Sequence, residues 1–413
     1  MSIYFWIMLA LYDGVGLKHF SSESFDEGSA CRQALGMSPR QTALCLAALD
    51  TMPHVARAAQ LTLEACSTLL EDRRWNCSSA FNAPVLGPDL ARGTREQAFM
   101  YALGSAAVTL AIARACAAGE LFHCSCAPPP GEPPGGNFKW GGCSDNVRWG
   151  SLFAKRFLDA TERTHVTASV LHERRRRRRR RQRKLKDGKS TPFKDKFGKM
   201  TDEETAAQNK LFDQATKNAS NKTIAKKRKL QADPDMIKFH TRLAAMNLHN
   251  NRIGRKVVQQ SQAITCKCHG VSGSCSVKTC WKALEALTVT GQKLLRKMDQ
   301  AVEVAPRRLG TTTQLSGVAP VVTAPMSNQL IFLTKSPDYC EEDLSAGSFG
   351  TKGRTCSVGV TGLSVGSCHH LCCGRGYNTV VEEKIERCHC VYHWCCYVKC
   401  KTCITTTQRQ ECN

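Results

Sequence analysis

The chain has no hydrophobic run long enough to cross a membrane. Its nearest approach, Gln97 to Ala113, is 17 residues without a formal charge but is rich in Ala, Gly and Ser and stops at Arg114. That falls short of the roughly 20 apolar residues a spanning helix needs, so a buried core helix is the better reading. Acidic residues are scarce: 35 Asp and Glu face 58 Lys and Arg, a formal charge of +23 over 413 residues. Such an excess points to a polyanionic partner, whether nucleic acid, acidic glycan or anionic lipid. Cysteine is missing from the whole stretch Ser144 to Thr265. No Lys or Arg precedes the short apolar run Ile3 to Tyr12, so a signal peptide there lacks the usual basic leader. No constellation sets a base beside a nucleophile, which speaks against an enzyme.

What is present is ordinary in bulk and unusual in detail. Hydrophobic residues at 42% and charged residues at 23% allow a real core and exclude a chain disordered throughout. Collagen, coiled coil and disulfide miniprotein are excluded as well. The length fits two or three domains. The 24 cysteines, an even number at high density, favour an oxidising compartment and hence secretion. A small-residue exit near Gly14 to Gly16 fits a signal peptide; a mis-assigned first exon or a merely apolar N-terminus competes with it.

The cysteines also map the domains: eight lie between Cys31 and Cys143, four between Cys266 and Cys280, and twelve between Cys340 and Cys412. In the first block Val55, Ala58, Ala59, Thr62, Cys66 and Leu69 recur at helical spacing after Pro53, and Arg95 to Ala117 continues with Ala-rich faces. A Pro/Gly-rich connector, Ala127 to Gly136, reads as loop. His165 to Asp235 reads as a solvated, disordered insertion. It holds Arg174 to Arg181 unbroken and 22 Lys and Arg against nine Asp and Glu, a net of +13. Leu243, Met246, Ile253, Val257 and Ile264 then fit one helix face that delivers the chain to Cys266. The last block is too small and too poorly patterned for packing alone to hold it. Cross-links worth about 2 to 4 kcal/mol each take that role.

The most informative stretch runs from Cys266 to Trp281. Cys266 with Cys280 and Cys268 with Cys275 make nested closures, as in a hairpin stapled twice, with His269, Gly270, Val271, Ser272, Gly273 and Ser274 at its tip. The glycines permit a tight turn and leave Ser272 open on both sides. A zinc site is disfavoured because C-x-C-x6-C-x4-C is not the usual C-x2-C pairing. A hydrolase nucleophile elbow needs G-x-S-x-G, and here the second glycine is displaced. A structural hairpin with an incidental serine stays open on spacing alone.

The hairpin resembles the signature of the Wnt family of secreted, lipid-modified signalling ligands. Further landmarks in the same order are Arg73-Arg74-Trp75-Asn76-Cys77, Arg92-Gly93-Thr94-Arg95-Glu96, Lys139-Trp140-Gly141-Gly142-Cys143, Cys372-Cys373-Gly374-Arg375-Gly376-Tyr377 and His393-Trp394-Cys395-Cys396-Tyr397. Ser336-Pro337-Asp338-Tyr339-Cys340 and the Gly-Val-Ser-Gly-Ser tip look most like the Wnt-eleven subgroup. The resemblance covers about 28 to 164 and 236 to 413, and 165 to 235 is expected to have no family counterpart.

The resemblance implies a disulfide-rich α+β fold. Residues 1–27 are a candidate signal peptide and N-terminal extension, 28–164 the first part of a helical N-terminal domain, and 165–235 the basic insertion. Residues 236–300 carry the last core helix and the acylated hairpin, 301–339 a linker, and 340–413 a small cystine-rich β domain. It also implies a palmitoleoyl ester on Ser272 and no other cofactor or metal. The receptor contacts it implies are His269, Gly270, Val271, Ser272 and Gly273 on the thumb, and Tyr392, Trp394, Cys395, Cys396 and Val398 on a C-terminal finger. The aromatics of that finger also read as local core. Burying a dozen methylenes of such a chain is worth on the order of 10 kcal/mol before ordering costs. The implied receptor is the Frizzled cysteine-rich domain, with Ror, Ryk or LRP-type co-receptors. A membrane-bound O-acyltransferase and a lipid-shielding carrier would act during secretion to the extracellular space and matrix, where heparan sulfate is a further partner and nucleic acid is not.

The family's bridges, carried over, pair Cys66 with Cys77, Cys116 with Cys124, Cys126 with Cys143, Cys266 with Cys280, Cys268 with Cys275, Cys340 with Cys373, Cys356 with Cys368, Cys372 with Cys412, Cys388 with Cys403, Cys390 with Cys400 and Cys395 with Cys396. Cys31 and Cys45 remain for a twelfth. None of these joins residues before Ser144 to residues after Thr265. The basic insertion reads as a polyanion-binding loop, a dibasic processing site or an inert lineage-specific loop. Glycosylation candidates are Asn218 and Asn221 within it, and Asn76 as a weaker sequon. The rivals from other classes are a basic nuclear protein with cysteines on zinc and a structural matrix protein without receptor activity.

Overall fold

The computed structural model describes residues 31–32, 37–81, 87–131, 138–163, 234–309, 312–318, 326–358 and 365–413. The candidate signal peptide, most of the basic insertion with its arginine tract, and Asn218 and Asn221 lie outside them. Two compact units divide the chain: Met1–Cys66 with Ala80–Ser336, and Ser67–Ser79 with Pro337–Asn413.

The first unit is built on the helix Arg95–Ala118. Thr94 caps it by accepting the Gln97 N–H, and Gly119, with φ of 76°, ends it in a left-handed turn. Nearly every residue from Glu96 to Cys116 is buried, so the uncharged stretch is a core helix. Small residues let its neighbours come close. A Cβ on Gly254 would lie 2.0 Å from the Ala102 carbonyl oxygen, and one on Gly150 would lie 2.3 Å from that of Thr109. These two glycines bring the helix Pro234–Gln260 and the helix at 147–163 against the central one. Pro39–Ala47, opened by a Ser38/Gln41 capping box, is tied to the helix at 147–163 by the Gln41 donation to the Phe157 carbonyl at 3.2 Å, and Met52–Leu69 buries Val55, Ala58, Ala59, Thr62 and Cys66.

The interior of this unit is partly polar. Arg255 donates through both terminal nitrogens to Asp159, each at 3.1 Å, and to Ser105 Oγ at 3.2 Å. Nearby, Glu162 Oε1 accepts from Tyr101 Oη at 3.1 Å and from Asn247 Nδ2 at 3.2 Å. Gln97 in turn donates to Asn247 Oδ1. Burial pushes the Glu162 carboxyl up to about 7, against the lowering effect of these two hydrogen bonds.

Two expectations need correction here. Ile264 is not on the helix, which ends at Gln260; it lies in the strand Gln262–Cys268 and is 55% exposed. Its distance of seven residues from Val257 matches two helical turns, but the helix stops at Gln260 before the second of them is complete. The stretch 301–339 is not a bare linker either. Val302–Leu309 pairs antiparallel with Thr312–Gly317 and parallel with Ile331–Phe332. Met246, Val304 and Ile331 are buried together, with Leu243, Val302, Leu315 and Leu333 packed on them.

In the second unit the buried cluster is Cys356, Cys368, Leu371, Cys372 and Cys412, so one leucine and four half-cystines form that cluster. Bridges replace apolar area there. A long antiparallel ribbon, Tyr377–His393 against Tyr397–Cys412, rises from it, with Thr355–Cys356 paired at its root. Residues 67–79 belong to this unit, not to one continuous N-terminal domain over 28–164. Arg354 donates to the carbonyls of Glu71, Arg73 and Arg74, and Arg74 pairs with Asp338 at 2.9 Å.

Candidate functional site: the hairpin tip and the finger tip

Strands Gln262–Cys268 and Lys278–Leu284 form the hairpin, in register Cys266 to Cys280, and Lys139–Trp140 adds a parallel third strand. Its root is clamped from outside the hairpin. Ser144 Oγ accepts the Lys282 N–H at 3.0 Å, Asp145 Oδ2 accepts the Leu284 N–H at 2.6 Å, and Arg114 donates to the Leu284 carbonyl at 2.9 Å. Sequence reasoning passes over these three residues. The polar pair in the loop after Cys143 is the available signal.

Bridges Cys266–Cys280 and Cys268–Cys275 staple the strands and the tip. The Gly270 N–H donates to the Ser274 carbonyl at 2.8 Å, and that of His269 to the Val277 carbonyl at 2.7 Å. His269 Nε2 also lies 2.7 Å from Thr279 Oγ1. At Gly270 a Cβ would lie 2.0 Å from Ser274 Oγ and 2.5 Å from the Ser274 carbonyl oxygen, so no side chain fits. Ser272 sits at the apex with φ 56° and ψ 27°, followed by Gly273 at φ 78°. A left-handed serine is uncommon and costs energy, which a doubly bridged frame can supply. Residues 271 to 277 are all exposed, Val271 to 89%. Ser274 and Ser276 share a hydrogen bond at 3.0 Å, so the result is a rigid apex that offers the Ser272 hydroxyl to solvent, suited to carry a covalent group outward.

The finger ribbon carries Cys388–Cys403 and Cys390–Cys400, with a register shift between Cys388 and Val391. Cys395 and Cys396 are bridged to each other, Cys395 at φ 81°. Tyr392 pairs with Val398, and His393 stacks on Tyr397 at 4.9 Å. Trp394 is 90% exposed and Tyr392 65%, so neither packs into a local core. An aromatic anchor beside a compact apolar disulfide is the composition of a protein-binding hot spot.

The other bridges join Cys31 to Cys45, Cys116 to Cys124, Cys126 to Cys143, Cys340 to Cys373, Cys356 to Cys368 and Cys372 to Cys412. Cys66 and Cys77 are disulfide-bonded too, and among the described residues no cysteine is free. The groupings Cys356, Cys372, Cys412 and Cys388, His389, Cys403 bring sulfur and nitrogen atoms together, but their sulfurs are held as disulfides and offer no thiolate. At the weaker sequon, Asn76 Oδ1 accepts from the Ser78 N–H and hydroxyl.

A profile of the wnt family matches residues 33–191 and 197–413. The match includes 165–191 and 197–235, so the expectation that the basic stretch has no family counterpart is corrected. Wnt-11b of Xenopus laevis is 39% identical over 392 residues, 95% of this chain and 91% of that protein. Wnt-11 of Gallus gallus is 36% identical over 95% of this chain and 90% of that protein. A chain from the solved structure of human WLS in complex with WNT8A is similar at a TM-score of 0.50 and 29% identity, over 88% of this chain and 95% of that one.

Proposed function

The chain belongs to the Wnt family, whose members are signalling ligands and not enzymes, and from that premise we propose that it is a secreted ligand of Frizzled cysteine-rich domains. Ser272 carries a palmitoleoyl ester, and the finger tip makes the second contact. The observation that carries this reading is the apex itself, an exposed serine in a left-handed conformation on a hairpin stapled twice. An acyl chain held there enters a receptor groove with little of its orientation left to fix, which is where preorganisation gains affinity. His269, Gly270, Val271 and Gly273 line its base, and Tyr392, Trp394, Cys395, Cys396 and Val398 form the second patch.

A membrane-bound O-acyltransferase attaches the chain before secretion to the extracellular space and matrix. A carrier of the kind named with WNT8A shields it in transit. Ror, Ryk or LRP-type co-receptors and heparan sulfate are further partners. Similarity to Wnt-11 proteins favours developmental signalling in polarity and cell movement. The rival nuclear zinc protein requires reduced thiols, and the lack of a free cysteine among the described residues favours the secreted reading.

Intact-mass analysis of secreted material tests it. Expected are twelve bridges and an acyl adduct that disappears in Ser272→Ala together with binding to isolated Frizzled cysteine-rich domains. Zinc with reduced thiols, or undiminished receptor binding by the unacylated variant, refutes the reading.

A further inference from the structure

The ribbon behind the finger tip leaves one edge of its sheet open. In the order of strands Tyr377–His393 is outermost, Tyr397–Cys412 lies in the middle, and Thr355–Cys356 borders the other side. Residues 381 to 387, Val-Glu-Glu-Lys-Ile-Glu-Arg, are all exposed, Val381 to 57% and Ile385 to 70%. Ile404, opposite Ile385 on the middle strand, is 64% exposed. The outer strand contains no proline, and its pairing is regular up to Cys388, where the register shifts. Such an edge is a template for another strand.

Hydrogen bonds at the root of the ribbon fix which main-chain groups face the open edge. The Cys412 N–H donates to the Arg354 carbonyl at 2.9 Å, and the Cys412 carbonyl accepts the Gly353 N–H at 2.8 Å. Even-numbered residues of the middle strand therefore turn their main-chain groups away from the outer strand. Because Cys412 stands opposite Tyr377 and Ile404 opposite Ile385, the outer strand's odd-numbered residues face outward. Val381, Glu383, Ile385 and Arg387 thus carry the unpaired edge.

The charges on this edge are antisymmetric about Ile385. Glu383 and Lys384 precede it, and Glu386 and Arg387 follow it. With an identical strand laid antiparallel and Ile385 opposite Ile385, Glu383 meets Arg387 and Lys384 meets Glu386, each twice. Centring on Glu383, Lys384, Glu386 or Arg387 instead sets a charge against its own copy, which is destabilising. Among the described residues Glu383 and Arg387 have no ion pair, and Lys384 leans on Glu386 of its own strand.

We propose that this edge pairs with the same edge of a second copy of the chain about a two-fold axis, forming a four-stranded antiparallel sheet. Ile385 and Ile404 of both copies then stand in one row across the four strands, which takes apolar surface out of water. A two-fold contact of this kind uses the same patch on both chains and closes at the dimer. The finger tip lies beyond the register shift and is not part of the contact. Neither the acyl group nor the receptor reading enters this inference.

The test is sedimentation of the secreted full-length protein from about 0.1 to about 20 µM, at about 0.15 M salt and in a nonionic detergent that occupies any acyl chain. The wild type is expected to dimerise. Lys384→Glu and Glu386→Lys are each expected to weaken self-association by about tenfold or more, since each acts twice across the axis. Mixing the two variants restores opposite charges at both positions, as does combining both substitutions in one chain. Either is expected to return to within about threefold of the wild type. Ile385→Pro, which removes an N–H that the ribbon itself does not use, is expected to abolish the dimer and decides the matter if a charge variant is not secreted. A wild type that stays monomeric over this range, self-association that neither charge reversal weakens, or a mixture that does not recover overturns the proposal.

Discussion

Glu162→Gln should make the helical unit more stable at neutral pH and remove part of its pH dependence. Glu162 is buried among three helices, with Tyr101 and Asn247 as its hydrogen-bond partners. Burial is the largest influence on its carboxyl and raises it; the nearby Asp159 charge adds to the rise, and the value reaches about 7 from an ordinary 4.5. Because the folded value is the higher one, the native state binds the proton more tightly. Its stabilising contribution is therefore complete below about pH 4.5 and fades as pH rises through 7. Integrating that difference gives a penalty of about 3 kcal/mol at pH 8, and about 2 kcal/mol of it arises between pH 5.5 and pH 8. Gln keeps the shape and both acceptor contacts without ionising.

Chemical or thermal unfolding of the wild-type and variant chains at pH 5.5 and pH 8 reads this directly. The wild type should lose about 2 kcal/mol from this group between the two, and the variant should lose none of it. Asp159 and Arg255 form an ion pair in both chains and cancel in the comparison. An identical pH dependence for both chains, or a variant destabilised at pH 8, would refute the reasoning.

Other consequences are equally direct. Asp159→Asn leaves the buried Arg255 guanidinium without its counter-charge, so a loss of about 3 to 5 kcal/mol and failed secretion are expected, measured as secreted yield. Gly254→Ala drives a methyl into the Ala102 carbonyl and should cost about 1 to 3 kcal/mol in unfolding experiments. Gly270→Ala should leave the helical unit folded and lower acylation of Ser272, read by intact mass, because the Gly270 N–H to Ser274 carbonyl contact cannot form beside a Cβ. Trp394→Ala should weaken receptor binding by about 2 kcal/mol and leave unfolding stability nearly unchanged, since the ring is 90% exposed.

Local chemistry is legible in the sequence. Thr94 before an Ala-rich run and Gly119 after it mark a helix whichever way it packs, because caps answer to backbone groups within a few residues. Cysteine spacing around Ser272 marks a stapled turn for the same reason, since the closures at Cys266 and Cys268 span separations of only 14 and 7. Ile264 escapes such a reading because a single apolar residue past the end of a helix carries no period of its own. The strands within 301–339 escape it because they are held by Met246, on a helix far back in the chain, and show little in their own composition.

Three features depend on contacts distant in sequence. The strip 67–79 joins the second unit through Arg354, whose bond to the Arg74 carbonyl spans a separation of 280. Glu162 becomes a group that titrates near neutrality only when helices from three parts of the chain close over it. Net charge by itself only points toward a polyanion, and the arginine tract draws attention to the insertion. Folding decides which lysines keep a carboxylate and which do not: Lys293 and Arg255 find partners, while Lys256 and Lys297 are brought together without one. Sequence determines the inventory of charges and bridges, whereas their pairing is a matter of distance, and distance belongs to the tertiary structure.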